Sequence, residues 1–326
     1  MNFYKITLLS LVALFFISCK QEVKIKEHRL TGINPVAYTD VVYNASLDTV
    51  LVSTFNGKIY QLTNGSENKK QIASIDDEIY NLIYNDSEKE LYAATLNSGI
   101  IVINILNGTI INKLPIQESW AYQLCFNDKN TLLATFDFKG KNYIWETKNN
   151  FRKIETPPEL NQMRPKYIAD NGDIYFEGKG KIIVWNYATN NIELQKVRGK
   201  IVDVDHDKNM LMIGSGEKDF FLYNYETDSV FYKKKHPDWP IHIPEKDSIV
   251  YVPLSLEVIS GAMANKFAYT YGLDKSIRKW DKLTGKLIET NSKHKGTISG
   301  VHINKRKNQL VTVDLLGGIQ FWDLSK

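Results

Sequence analysis

Two carboxylates and a guanidinium, Glu78, Glu118 and Arg164, have the side-chain types for paired acid–base chemistry, in which one carboxyl gives a proton and the other takes one. Asp76, Asp77, Lys200 and Asp238 occupy similar polar stretches. Nothing in the local spacing makes these groups converge, so polar loop surface is the simpler account. The six histidines are scattered, with no HxH or HExxH spacing, and neither a metal nor a cofactor is expected. There is no GxSxG elbow and no Gly-rich phosphate loop, so a catalytic role is not expected either. The two cysteines differ in setting: Cys125 sits in apolar YQLCF and reads as an inert buried thiol, whereas Cys19 ends an apolar run.

Elements must position any such residues, and the composition says which kind. Tyrosine, isoleucine, valine and phenylalanine are plentiful and long helix-forming runs are absent, which favours strands. The formal net charge of +4 is too small and too evenly spread for a nucleic-acid partner. The short basic clusters at 233–235 and 305–307 read as solvated loops.

A marker recurs along the chain. NGKIYQL (56–62), NSGIIVI (97–103), KGKNYIW (139–145), KGKIIVW (179–185), EKDFFLY (217–223), DKSIRKW (274–280) and LGGIQFW (316–322) share a turn followed by a short strand. They end in Leu62, Ile103, Trp145, Trp185, Tyr223, Trp280 and Trp322, at intervals of 41, 42, 40, 38, 57 and 42 residues. Each follows an apolar strand such as TVLVST (49–54) or KFAYTY (266–271). Strand and turn alternate four times per period, the pattern of a four-stranded antiparallel propeller blade.

Carried by these repeats, and best by KFAYTYGLDKSIRKWD and by His294 followed by Trp322-Asp323, the chain resembles the WD40-repeat family over roughly residues 30–326. The resemblance implies an all-β, seven-bladed β-propeller of four-stranded antiparallel blades, closed by an N-terminal strand. The last repeat is one strand short, and KIKEHRLTGI (24–33) is the candidate to complete it. The domain is expected over 24–326, with an insertion around 236–256 that accounts for the long interval. Both WPIHIPEK and EVISGAMAN fit the first strand of the sixth blade. The family also implies a buried Asp–His–Ser/Thr–Trp network in each blade. Thr270, Asp274 and Trp280 supply part of it in the sixth blade, where no histidine has the expected spacing. His294, Thr312 and Trp322 supply part of it in the seventh, where Leu316 stands at the aspartate position. On this reading no blade has a full set, and these residues are structural.

The N-terminal MNFYKITLLSLVALFFISC has a lysine, then an apolar run at 6–17 too short to span a bilayer comfortably, then a small residue and Cys19. FISC resembles the lipobox of bacterial lipoproteins. That resemblance implies a signal peptide at 1–18, a lipid on Cys19, a short tether at 19–23 and an envelope location. Lys20 in place of aspartate favours the outer membrane. By position, Tyr80, Trp120, Tyr122, Arg164, Lys166 and Trp239 are expected at or near the face reached by loops entering each blade. The expected function is that of a monomeric, lipid-anchored scaffold binding a protein or glycan. The alternative is a propeller hydrolase or lyase acting on an extracytoplasmic sugar or lactone.

Overall fold

Runs such as TVLVST and ELYAAT are buried at nearly every position because both faces of the strands they form are covered. The computed structural model describes residues 37–44, 48–117, 119–304 and 308–324, with the side chains of 239, 240 and 253–255 outside that description. The chain divides into two units, 1–33 and 34–326, and all described residues lie in the second.

The second unit is all-β, and its strands form seven antiparallel blades: 38–74, 79–114, 125–154, 164–194, 200–235, 258–291 and 298–323. Strands pair in chain order within each blade. Six blades have four strands, and the seventh shows three among the described residues. The closing strand expected at 24–33, like the signal segment and Cys19, lies outside the described residues. The long interval contains a separate hairpin, Asp238–Ile243 paired with Ser248–Ser255. Blade six therefore begins with Val258–Ala264, within EVISGAMAN, and WPIHIPEK belongs to the hairpin.

The period of two along each strand sends alternate side chains to opposite neighbours. In blade one, Leu51 packs toward blade two with Leu91 and Ile101, while Val50 and Val52 pack toward blade seven with Val311 and Val313. Every one of the seven blade-to-blade junctions has such a cluster, including the junction between the last blade and the first. Six of the repeat markers are buried in these clusters and Trp322 packs against one, each toward the preceding blade.

Hydrogen bonds stitch the innermost strands across the same junctions. Asp40 Oδ2 accepts from Leu82 N (2.8 Å) and from Asn81 Nδ2 (2.6 Å), and Asn81 Oδ1 accepts from Leu124 N (2.8 Å). Asp203 Oδ2 accepts from Met263 N at 2.6 Å. Ser299 Oγ donates to Tyr38 O at 2.6 Å, joining blade seven to blade one. The turns are as tight as the seams. Gly57 has φ +77°, and a Cβ there would stand 2.0 Å from the Ile75 carbonyl oxygen, so only glycine fits.

Candidate functional site

In an antiparallel blade the loop entering the first strand and the turn joining the second and third strands lie at the same end. In blade three these two segments are zipped together. Tyr122 N donates to Phe136 O (3.2 Å), Phe138 N donates to Trp120 O (3.2 Å), and Ala121 bridges Asp137. Alternation then turns Ala121 and Asp137 inward, where both are buried, and sets Trp120 opposite Phe138 and Tyr122 opposite Phe136. The rings meet accordingly: Trp120 and Phe138 stack at 5.5 Å between centroids, and Tyr122 and Phe136 lie 5.5 Å apart.

This pair of cross-strand contacts is the centre of a longer run. Tyr80, at the same end of blade two, lies 4.7 Å from Trp120, and Phe55 of blade one meets Tyr80 edge-on at 5.6 Å. On the other flank the Arg164 guanidinium of blade four lies 5.1 Å from the Phe136 ring centroid and 5.8 Å from that of Tyr122. Phe138 is 70% exposed and Tyr122 47%, so the run presents apolar surface at the loop end. Aromatic pairs of this kind contribute about 0.5–1.5 kcal/mol each beyond burial, which holds the rings in place before any partner arrives.

Of the residues expected at this face, the structure brings together Tyr80, Trp120, Tyr122 and Arg164. Lys166 instead lies in the wall between blades. Its ammonium donates to Gln123 Oε1 (2.6 Å) and pairs with Glu177 (3.5 Å), leaving 12% of the side chain exposed. Trp239 is on the inserted hairpin, opposite Val252. Phe55, Phe136 and Phe138 were not among the expected residues because they sit in or beside second-to-third-strand turns, and the expectation drew only on the loops entering first strands. The available signal was an aromatic beside a turn glycine, as in TFNGK and FDFKGK.

The candidate acids are engaged locally. Asp77 accepts from the amides of Asn97 (2.8 Å), Ser98 (2.7 Å) and Glu78 (2.9 Å). Burial alone would raise its carboxyl, but these donors outweigh burial and hold it below the usual carboxylate range. Glu78 accepts from the Tyr80 hydroxyl at 2.6 Å; burial first, and this carboxylate second, push the phenol up. Lys200 pairs with Glu217. Asp76 is exposed, Asp238 starts the hairpin, and Glu118 lies outside the described residues. Among the described residues no three His, Cys, Asp or Glu side chains group closely enough to hold a metal ion. Burial pushes the Cys125 thiol up to about 12.

The buried networks are more complete than the sequence implied. In blade seven Asp314, not the position of Leu316, supplies the carboxylate. His294 Nδ1 lies 2.9 Å from Asp314 Oδ2, His294 Nε2 lies 2.6 Å from Thr312 Oγ1, and Trp322 Nε1 donates to Thr312 Oγ1 at 2.9 Å. A carboxylate only accepts and an indole only donates, so the chain runs Trp322 to Thr312 to His294 to Asp314. Blade six does have its histidine. His236 Nε2 lies 2.7 Å from Thr270 Oγ1, which also accepts from Trp280 Nε1 at 2.8 Å. His236 and Thr270 are 34 residues apart, against 18 for His294 and Thr312, because the hairpin is inserted after the histidine. Here Arg278, bound to Asp274, faces His236 Nδ1 at 3.4 Å. Burial, and then the Arg278 charge, lower the His236 imidazole to about 3, so it is neutral.

No protein-family model matches the sequence, and no curated protein matches it. Solved structures do. The β-propeller domain of Cps50 (Swd1) from Myceliophteria thermophila is similar with a TM-score of 0.70 and 12% identity, over 88% of this chain and 96% of that one. U3-55K is similar with a TM-score of 0.68 and 12% identity, over 87% and 91%. The WD40 β-propeller domain of Doa1 is similar with a TM-score of 0.68 and 11% identity, over 89% and 93%. At these identities the likeness shows the fold, a WD40-type seven-bladed propeller, and nothing of the partner.

Proposed function

We propose that this propeller is an interaction scaffold that binds a protein partner through its loop face, held at the bacterial envelope by a lipid on Cys19. The observation that carries the binding role is the continuous run Phe55, Tyr80, Trp120, Tyr122 and Phe138 flanked by Arg164, with Phe138 and Tyr122 exposed. Large rigid rings and an arginine are the residue types that dominate interface energetics. The engagement of Asp77 by amides and of Glu78 by Tyr80 supports binding over catalysis.

Affinity capture from membranes tests the face. Trp120→Ala/Phe138→Ala should lose the partner recovered by the unaltered protein, each anchor being worth roughly 2 kcal/mol or more. Equal recovery rejects the face. The anchor rests on the FISC sequence after a short apolar run, and on an outer-membrane reading of Lys20. Cys19→Ala should leave the membrane fraction and take up no fatty-acid analogue; a variant still labelled and sedimenting with membranes rejects lipidation.

A further inference from the structure

We infer that the loop face takes an acidic polypeptide segment, with an apolar side chain on the aromatic run and a carboxylate held in a basic cleft between blades four and five. This rests on the binding reading above and adds the partner's chemistry. A cleft of about 430 Å³ opens beside the run, lined among others by Arg164, Glu177, Lys179, Gly180 and Lys200. Arg164 belongs to both parts, since its guanidinium lies over Tyr122 and Phe136 while its side chain lines the cleft.

The charges in this cleft do not cancel. Glu177 is already occupied, by the Lys166 ammonium and by the amide of Ile201 at 2.7 Å. Lys200 has Glu217. Arg164 and Lys179 are exposed and have no carboxylate partner among the described residues. A ring-stacked guanidinium keeps its donor edge available and offers the two-pronged geometry a carboxylate accepts. Two uncompensated cations suit one or two single charges, whereas a polyanion is read by a long track of lysine and arginine. The exposed Phe138 and the cationic cleft belong to different blades, so the ligand must carry apolar and acidic groups on separate arms. Neighbouring residues of a polypeptide do this; an acidic sugar places its carboxylate on the same ring that would stack.

The test is a displayed library of random dodecapeptides panned against the full-length protein in detergent, with selected peptides then synthesised and measured by fluorescence anisotropy. The expected peptides combine Asp or Glu with an aromatic or aliphatic residue a few positions away. Their affinity should fall roughly tenfold or more on Arg164→Gln/Lys179→Gln, and should weaken with salt. Lys179→Glu alone, at an exposed turn, should show the same loss should the double variant melt early. Selected peptides without excess acid, or binding the double variant as tightly as the unaltered protein, overturn the acidic-segment inference. The same peptides measured on Trp120→Ala/Phe138→Ala separate the two ideas: loss there leaves the face standing without the acid, and no loss removes both. Recovery of no peptide, with an oligouronate binding in its place, also overturns it.

Discussion

Replacing Asp314 with alanine isolates the blade-seven network. Its carboxylate accepts from the His294 ring, from Leu316 N and Gly318 N at 2.9 Å each, and from Gly296 N at 3.4 Å. His294 and Asp314 side chains are each 1% exposed, so water cannot replace the lost acceptor at the imidazole without opening the blade. A buried orphaned donor costs about 1–3 kcal/mol. Counting the imidazole and one turn amide as stranded, with the others reached by solvent, the loss comes to about 2–6 kcal/mol. Urea unfolding followed by tryptophan fluorescence reads this directly. In a double-mutant cycle with His294→Ala, the two losses should couple by about 0.5–3 kcal/mol. There is also a pH arm. Burial raises the Asp314 carboxyl, but His294 and the three amides outweigh it, so its native pKa lies below the unfolded value. Its contribution is therefore whole above about pH 4 and is lost as the pH falls through the native value, and Asp314→Ala should unfold with less acid sensitivity in that window. An Asp314→Ala protein that unfolds at the unaltered urea midpoint, or losses that simply add, would refute the network as a stabilising unit.

Two further outcomes follow from the same physics. His236 has its native pKa lowered to about 3, so its contribution is complete above the unfolded value of about 6.5 and shrinks as the pH falls below it. Melting curves at pH 7 and pH 5 should show a larger drop for the unaltered protein than for His236→Gln; identical drops would contradict a buried neutral imidazole. On the expectation from the repeat count that 24–33 completes blade seven, deleting 24–32 should lower the unfolding temperature of the whole propeller by several degrees, and an unchanged melt would show that it does not complete it.

The blades were legible in the sequence because burial on both faces fills the middle of the second strands largely with apolar residues, and the marker residues fill one junction each. His236 was hidden because the hairpin doubles nearly to the next repeat the distance at which its partner is found. Asp314 was overlooked because it ends the second strand, two positions before Leu316, and a local spacing rule cannot tell which of two turn positions aims at the histidine. Tyr80, Trp120, Tyr122 and Arg164 could be placed at one end of the blades from strand order alone. Their mutual contacts could not, since those depend on the bridge between Ala121 and Asp137 that pulls the blade-three entry loop onto its turn. Lys166 shows the converse: its loop-proximal position was readable, but its pairing with Glu177 on the neighbouring strand was not.

The seam between the last blade and the first joins residues 261 apart, Ser299 and Tyr38. During synthesis, then, the apolar side of blade one, with Tyr38, Val50 and Val52, emerges long before Val311 and Val313 exist to cover it. Contacts so distant in the chain form slowly, and uncovered strand surface invites association in the interval. If the chain is exported as its N-terminus suggests, that interval is spent in transit, and the yield of folded protein should depend more on what shields blade one during passage than on the stability of the finished ring.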